Sequence, residues 1–372
     1  MSDGPILVSR PDLPPLDRYV AGLARIWESR QLSNNGPVAR ELEARLSAAA
    51  GGRPASLTAN GALALELALE ALEIRGDVVT TPFSFAATTN AIVRTASRPV
   101  FADVEPRWFT LDPQAVERAI TPMTRAILAV HIFGQPCDLD GLSEVACRHG
   151  LPLIYDAAHA FGVEVDGRSV AAFGDAVMFS LHATKPYHAG EGGALVTADA
   201  AAKARVDALV NHGLGPDGSV ERAGTNAKLS ELHALMGLLM LDDLGERQAR
   251  RAAVAALYRA QLADVPGVVL PAPPRDGVTV NHSYFVVRIQ AARFGRSAAA
   301  LVPELAARGI GTRRYFHPPL HRMPAFDTGA HMPVAEAVSE EVLALPIGAA
   351  LTDAEVERVC DALRTLGTRY PS

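Results

Sequence analysis

Short apolar runs alternate with helical stretches between about residue 54 and residue 200. Most of these runs are continuously apolar, which is typical of strands that are buried on both faces. The pattern predicts strands at 78–80, 100–103, 126–132, Leu153–Asp156, Ala176–Ser180 and 194–197. It predicts helices between them, among others at 62–73, Ala86–Arg94, 113–120 and 140–149. This alternation indicates an α/β fold with a mostly parallel sheet and helices on both sides.

The pattern changes in the last third of the chain. A long helical segment at 228–263, interrupted near Gly245, leads into a stretch rich in proline. Beyond it the sequence predicts a strand at 284–289 and helices at 298–307 and 353–366. We expect a large α/β domain over 1–245, with a substrate-loop segment at 1–50, and a smaller α+β domain over 246–372.

Composition and charge narrow the possible functions. The 372 residues are 49% apolar and 20% charged, as in an ordinary soluble protein. The net charge of −6, without a long basic stretch, argues against a nucleic-acid partner. Three cysteines without a CxxC pair argue against a disulfide scaffold or a zinc site. No signal peptide and no membrane-spanning segment is predicted, so we expect a cytoplasmic protein without a metal.

Asp156 is the first candidate for chemistry because it closes an apolar strand, where an α/β sheet binds its ligands. A carboxylate there is partly desolvated and needs a cation or several hydrogen bonds. It either caps a helix or is held against a protonated ring nitrogen, with His159 on the same turn.

Lys185 is the second candidate. It lies five residues beyond Ser180, at the end of another apolar strand, and precedes Pro186, which disfavours helical geometry at the lysine. Desolvation between two strands would lower its pKa, and a neutral amine can condense with a carbonyl. The alternative is an ordinary surface lysine.

Two weaker signals complete the set. Asn60-Gly61-Ala62 opens a helix, so this segment either only caps the helix or also leaves N–H groups open to a phosphate. Phe85 either stacks on an aromatic ligand or belongs to the core. Together with Asp156 and Lys185, these features describe a pyridoxal-phosphate site.

The order of these motifs resembles that of the DegT/DnrJ/StrS family of sugar aminotransferases, which have the fold-type I pyridoxal-phosphate (PLP) architecture. The resemblance covers nearly the whole chain. The motifs that carry it are 32–37, 80–85, 130–138, 156–160, 180–185, 191–193, 224–228, 313–318 and 343–346.

The resemblance implies the catalytic roles. Lys185 would form a Schiff base with PLP and move the substrate proton, alternating the cofactor between PLP and pyridoxamine phosphate (PMP). Asp156 would pair with the pyridine nitrogen, and His159 would lie near the phenolic oxygen or the opposite ring face. Phe85 would stack on the ring.

It also implies the binding residues. The cofactor phosphate would contact Asn60, Gly61, Ala62 and Ser180. Asn226 would reach the phosphate of the neighbouring subunit's cofactor, which implies a homodimer with shared sites. At the substrate the resemblance places Asn35, Lys228, Arg313, Arg314, Tyr315 and His317. Arg313 or Arg314 would pair with a diphosphate through its fork of donors.

Two positions depart from many family members. Asn60-Gly61-Ala62 stands where many have Ser-Gly-Thr, so a hydroxyl is lost at the phosphate, and His159 stands where many have Gln. The form with His159, His182 and Glu191 is similar to enzymes that aminate C4 of 4-keto-6-deoxy nucleotide sugars. We therefore expect transfer of an amino group from L-glutamate to C4 of a dTDP-linked 4-keto-6-deoxyhexose, giving a 4-amino-4,6-dideoxy sugar.

Three alternatives stay open at this point. One is the same reaction at C3, or on an unlinked ketocyclitol. Another is the sugar-dehydratase branch, against which Lys185 speaks because that branch carries His at this position. The third is a non-catalytic member that binds the sugar or the cofactor.

Overall fold

The computed structural model describes residues 4–367. The helices are α1 (Leu16–Ser29), α2 (Pro37–Ala49), α3 (Gly61–Ala71), α4 (Ala86–Arg94), α5 (Pro113–Ala119), α6 (Leu139–His149), α7 (Ala200–Val210), α8 (Glu231–Asp242), α9 (Leu244–Leu262), α10 (Ala291–Phe294), α11 (Ala298–Ala306), α12 (Pro333–Glu341) and α13 (Asp353–Gly367). The strands are β1 (Ala55–Thr58), β2 (Asp77–Thr80), β3 (Arg98–Phe101), β4 (Thr124–Val130), β5 (Leu153–Asp156), β6 (Glu164–Val165), β7 (Arg168–Ser169), β8 (Ala176–Ser180), β9 (Gly193–Thr197), β10 (Val268–Val269), β11 (Val278–Thr279), β12 (Phe285–Ile289) and β13 (Val342–Leu345).

Seven strands form the large sheet in the order β1-β9-β8-β5-β4-β2-β3. The five strands from β8 to β3 run parallel, whereas β9 is antiparallel to both of its neighbours, β8 and β1. Alternate residues of β4 belong to different hydrophobic cores: Ile127 to the core that also contains residues of α2, α6 and α8, and Leu128 to the core that contains residues of α3, α4 and α7. Burial on both faces explains the continuous apolar runs, and the predicted mostly parallel α/β fold is confirmed.

A further core lies in the C-terminal part of the chain. There β10, β12 and β13 form an antiparallel sheet against α9, α11 and α13. The predicted domain boundary between residues 245 and 246 falls in the first turn of α9 and stays a prediction. Across residues 4–367, every helix falls short of the length or the apolarity that crossing a membrane needs.

Some elements differ from the sequence-based expectations. The strand expected at 100–103 spans Arg98–Phe101, and the long helical segment breaks at Asp243, two residues before Gly245. No strand was predicted at Ala55–Thr58, where half of the residues are polar. Ser56 and Thr58 are nevertheless buried, since each hydroxyl donates a hydrogen bond within the protein.

The segment at 1–50 contains two helices, α1 and α2, and the second is fixed by Glu231. The buried Glu231 carboxylate accepts hydrogen bonds from the N–H groups of Val38 (2.8 Å) and Ala39 (3.0 Å). A side chain at Gly36 would collide with it, since a Cβ there would lie 2.6 Å from the Glu231 carboxyl carbon. The start of α8 therefore holds the turn that carries Asn35.

We predict that Glu231→Ala lowers the free energy of unfolding by about 1–3 kcal/mol, because two buried N–H groups lose their acceptor. The measurement is the midpoint of thermal unfolding. Glu28→Ala is the matched control, because Glu28 is exposed on α1, and it should change the free energy by less than about 0.5 kcal/mol. Equal midpoints for the two variants would contradict this role for Glu231.

Candidate active site

Asp156 and Ser180 lie at the carboxyl ends of the adjacent parallel strands β5 and β8. Helix α3 begins against the same strand ends: a Cβ on Gly61 would lie 2.9 Å from Met178 Sδ and 3.2 Å from Ser180 Cβ. Lys185 follows Ser180 in the loop between β8 and β9. The structure therefore brings Gly61, Asp156, Ser180 and Lys185 to one edge of the sheet.

The Asp156 carboxylate is buried and accepts two hydrogen bonds. Thr88 Oγ1 donates to Oδ2 at 2.7 Å, and the Ala158 N–H donates to Oδ1 at 3.0 Å. Burial raises the pKa of Asp156, while Thr88, Ala158 and the nearby positive charge of Lys185 oppose the rise. Among the described residues no cationic group forms a salt bridge with this carboxylate. A positively charged group of a ligand would therefore be stabilised beside the Asp156 carboxylate.

Lys185 lies in a turn, with its N–H donating to the His182 carbonyl at 2.9 Å. Burial lowers the pKa of Lys185 to about 8, and the Asp156 carboxylate opposes this shift. The Nζ atom lies 5.9 Å from the centroid of the Tyr284 ring. Within the part of the chain that the structure describes, Nζ forms no hydrogen bond. It is an amine that gives up its proton near pH 8, well below the usual range of lysine.

His159 is buried beside Lys185, and one of its nitrogens is fixed. The Phe133 N–H donates to His159 Nδ1 at 3.2 Å, so in the neutral ring the proton sits on Nε2. Burial and the charge of Lys185 hold the pKa of His159 well below its usual value. The Tyr284 ring packs against it, with the centroids 4.7 Å apart. His159 is thus a neutral imidazole held by aromatic contacts.

Two residues of this site were not selected from the sequence. Thr88 lies on α4, and its only signal is a pair of threonines on an otherwise apolar helix face. Tyr284 precedes β12 in the C-terminal part of the chain. Asn281, whose side chain donates to the His159 carbonyl at 2.9 Å, holds this segment against the large sheet. No local pattern predicts that contact.

The helix start at residues 60–62 has two distinct parts. Asn60 Oδ1 accepts from the Leu63 N–H at 2.9 Å, so its side chain caps α3. A phosphate would therefore meet the backbone N–H groups of Gly61 and Ala62 rather than the Asn60 carboxamide oxygen. Ser180 Oγ, on the facing strand, accepts a long hydrogen bond from the His182 N–H at 3.4 Å. Its position as a phosphate ligand stays a prediction.

A cleft of about 570 Å³ lies between α11 and residues 312–318. It is lined by five of the predicted residues: Phe85, Arg313, Arg314, Tyr315 and His317. Phe85 is 63% exposed, so it is not a core residue. Arg314 is tied to the Glu340 carboxylate at 2.8 Å and to the carbonyls of Ser339 and Glu340. Arg313 is exposed, and within residues 4–367 its guanidinium has no ion-pair partner.

Asn35 and Lys228 line a different cavity, of about 510 Å³. Lys228 Nζ donates there to Asn211 Oδ1 at 2.9 Å. Asn226 is exposed nearby, where its backbone pairs with that of Asn211. The predicted substrate residues are therefore divided between two cavities of the chain.

A model of the DegT/DnrJ/EryC1/StrS aminotransferase family matches residues 17–364. The chain belongs to this family. The resemblance drawn from the motifs is thereby confirmed. A dTDP-4-amino-4,6-dideoxy-D-glucose transaminase from Shigella dysenteriae is 37% identical to it over 365 residues, which cover 97% of this chain and 99% of the relative.

Two solved structures of similar proteins cover almost the whole chain. DesI, solved in the presence of its TDP-sugar product, is 42% identical with a TM-score of 0.94, over 98% of this chain and 93% of DesI. DesV from S. venezuelae, in complex with a ketimine intermediate, is 34% identical with a TM-score of 0.89, over 97% of this chain and all of DesV. The predicted aminotransferase fold is confirmed.

The donor set of this aminotransferase fits pyridoxal phosphate. Asp156 offers a buried negative charge for a protonated ring nitrogen, and Lys185 offers an amine of lowered pKa for an aldehyde. Gly61 leaves the start of α3 open, because a Cβ there would fill the space before Ser180. Asp156, Lys185 and the start of α3 thus match the ring nitrogen, the aldehyde and the phosphate of the cofactor.

We predict that Lys185 in the cofactor-free protein reacts with an amine-acylating reagent with a midpoint near pH 8, since it is protonated below its pKa of about 8 and neutral above it. The measurement is labelling against pH, read by peptide mass spectrometry. Asp156→Asn should move the midpoint lower, because the carboxylate charge favours the protonated amine.

Lys203 is the internal control for this titration, since the chain contains only three lysines. Its ion pairs with Glu43 and Asp207 raise its pKa, so its labelling should begin at higher pH. A Lys185 midpoint at or above that of Lys203 would show that the site does not desolvate the amine.

Proposed function

We propose that this protein is a PLP-dependent transaminase that moves the amino group of L-glutamate to C4 of a dTDP-linked 4-keto-6-deoxyhexose. The products are 2-oxoglutarate and a dTDP-linked 4-amino-4,6-dideoxy sugar. The observation that carries the proposal is the buried pair of Asp156 and Lys185 at the ends of β5 and β8. The names of the relatives, a dTDP-4-amino-4,6-dideoxy-D-glucose transaminase and DesI with its TDP-sugar product, support the sugar and the position of the amine.

One set of residues would hold the ring of the cofactor and another set its phosphate. Asp156 would face the ring nitrogen, His159 and Phe85 the ring, and Ser180 with the N–H groups of Gly61 and Ala62 the phosphate. When bound, the cofactor supplies an electron sink that stabilises the negative charge left after the substrate proton departs.

The side chains then have separate tasks. Lys185 Nζ accepts a proton from the substrate carbon and returns one, since a group with a pKa of about 8 exchanges protons near neutral pH. The Asp156 carboxylate stays ionised when it faces a positive charge, which keeps that charge in place. Thr88 Oγ1 and the Ala158 N–H orient its two oxygens. His159, held neutral, would donate a hydrogen bond from Nε2 to an oxygen of the bound cofactor.

A diphosphate in the cleft below α11 would meet Arg313. Its exposed guanidinium presents a fork of donors, while that of the neighbouring Arg314 is occupied by Glu340. The apolar part of the lining, from α11 and Phe85, would face the uncharged parts of the ligand.

A second copy of the chain would complete the site. Asn35 and Lys228 line a cavity other than the cleft that holds Arg313, and Asn226 pairs through its backbone with Asn211 of that same cavity. Helix α1 carries the exposed apolar side chains Leu16, Val20 and Trp27, a stripe that a subunit contact would cover. Both features support a homodimer whose active sites contain residues from both chains.

The first test is the absorption spectrum of the purified protein with PLP. We expect a visible band from the cofactor bound to Lys185, loss of that band with L-glutamate, and its return with a dTDP-4-keto-6-deoxyhexose. Lys185→Ala should lack the band and turn over at least a thousandfold more slowly, roughly the scale of losing an essential catalytic group, while its thermal midpoint stays near that of the wild type. Lys203→Ala is the matched control and should keep the cofactor band and the turnover of the wild type.

Each other outcome identifies a different part of the proposal as wrong. A band that glutamate removes but the 4-keto sugar does not restore would reject the acceptor, and 3-keto sugars and ketocyclitols are then tested. No band at all would favour a binding protein over an enzyme. Turnover by Lys185→Ala would reject the mechanism.

We predict that Arg313→Ala raises the KM for the nucleotide sugar roughly ten- to a hundredfold and leaves kcat within about twofold, because a charge-assisted hydrogen bond contributes about 1.5–3 kcal/mol. Steady-state kinetics with glutamate in excess measures both constants.

Arg314→Ala is the comparison at the next position. It should lower the thermal midpoint, since its ion pair and two carbonyl contacts are lost, and it should affect KM less than Arg313→Ala does. A larger increase of KM in Arg314→Ala than in Arg313→Ala would instead assign the diphosphate contact to Arg314.

A further inference from the structure

An N-terminal strap of residues 4–12 is anchored at one end to the C-terminal core. The Ile6 N–H donates to the Gly309 carbonyl at 2.8 Å, and the Gly311 N–H donates to the Ile6 carbonyl at 2.7 Å. The Ile6 side chain is buried in the core that contains α9 and β12. The strap packs so closely that a Cβ on Gly311 would lie 3.1 Å from the Val8 nitrogen.

The other end of the strap contacts the loop that carries Lys185, on both sides of the lysine. Ser9 Oγ donates to the carbonyl of Thr184 at 3.3 Å. His188 Nε2 lies 2.7 Å from the Asp12 carbonyl, and the Gly190 N–H donates to His188 Nδ1 at 3.2 Å. Both ring nitrogens are thus assigned, with the proton of a neutral ring on Nε2. Burial also lowers the pKa of His188, which favours that neutral form.

The Asp12 side chain makes a separate contact, with α9. Its carboxylate lies 3.7 Å from Arg251 Nη2, and the two side chains are only 9% and 4% exposed. Arg251 Nη1 also approaches the His282 carbonyl, at 3.5 Å, close to Tyr284. A buried guanidinium requires a partner of opposite charge, so this ion pair fixes where the strap lies on α9.

Lys185 has no regular element to hold it. It lies between a single turn and Pro186, in a loop that leaves the sheet at β8 and returns at β9. A displacement of about 1 Å in such a group can cost up to a hundredfold in rate. The strap contacts at Thr184 and His188 are therefore placed where they limit the motion of the lysine.

We propose that Asp12 is a positioning residue for Lys185: its carbonyl holds the lysine loop through His188, and its carboxylate anchors the strap to α9 through Arg251. This inference rests on the proposed role of Lys185 as the amine that binds the cofactor. Asp12 itself touches no reacting atom. It joins the two parts of the chain that build the site.

The test compares Asp12→Asn, His188→Leu, His188→Gln and the double variant Asp12→Asn/His188→Leu, in the full chain. Asp12→Asn removes the buried charge, and His188→Leu removes the donor to the Asp12 carbonyl. We expect hydrogen exchange of the backbone at 181–190, read by mass spectrometry, to accelerate about tenfold in both, and kcat to fall about tenfold with KM for the nucleotide sugar within about twofold.

Two comparisons separate positioning from simple stabilisation. His188→Gln should keep the slow exchange and the kcat of the wild type, because the glutamine amide can donate to the same Asp12 carbonyl. The double variant should show the same exchange rate and kcat as the more impaired single variant, because both changes break the same connection between the strap and the lysine loop. Asp17→Asn is the matched control, since Asp17 is exposed on α1, and it should leave exchange and kcat unchanged.

A lower thermal midpoint in Asp12→Asn with unchanged exchange at 181–190 would overturn the proposal, and so would fully additive losses in the double variant. If Asp12→Asn does not fold, the comparison of His188→Leu with His188→Gln decides. The exchange measurement needs no substrate. A wild type without transaminase activity would therefore refute the proposed function and still leave the positioning role of Asp12 measurable.

Discussion

The active site depends on a negative charge that the fold has removed from water. Parallel strands buried on both faces bring the Asp156 carboxylate to an edge of the sheet that α3 and α4 cover. Two neutral donors, Thr88 and Ala158, satisfy its oxygens, but burial still raises its pKa. Lys185, whose charge acts on Asp156, is itself desolvated, and burial lowers its pKa to about 8. Burial disfavours the charged form of both Asp156 and Lys185. A ligand that brings a cationic nitrogen to Asp156 stabilises its carboxylate, and a carbonyl carbon of the same ligand can react with the neutral amine of Lys185.

Precision around this pair comes from parts of the chain that are far apart in sequence. Asn281 ties the segment before β12 to the carbonyl of His159, and the Tyr284 ring of this segment packs against His159 and lies 5.9 Å from Lys185 Nζ. The strap reaches the lysine loop from the opposite end of the sequence. The sheet therefore fixes the carboxylate, whereas the C-terminal segment and the strap act on the lysine and the imidazole. A change in the packing of the C-terminal part against the large sheet would therefore displace the lysine and the imidazole before the carboxylate.

The sequence was informative where chemistry follows from local pattern. An apolar run that ends in Asp156, and a lysine before a proline between two strands, mark both groups as candidates, and the order of the motifs along the chain then indicates their roles. Thr88, Tyr284 and Asp12 could not be selected in this way, because each acts through a partner at least 68 residues away in sequence. The strand β1 was missed for a related reason, since the buried Ser56 hydroxyl donates its hydrogen bond to Asp207, which is 151 residues away in sequence. The ordered motifs nevertheless indicated the family, which the matches along the chain confirm.

Arg313 and Arg314 show how neighbouring residues of one type receive different tasks. Residue 313 pairs through its backbone with Ala344 of β13, so the chain here is extended and successive side chains point to opposite sides. Arg314 turns toward the end of α12, where its guanidinium meets two of the last carbonyls of the helix and the Glu340 carboxylate. That position suits a cation, since the carbonyl end of a helix carries partial negative charge. Both arginines line the cleft, but among residues 4–367 only Arg314 has an ion-pair partner, so in the proposed function Arg313 is the one that would pair with an anionic ligand.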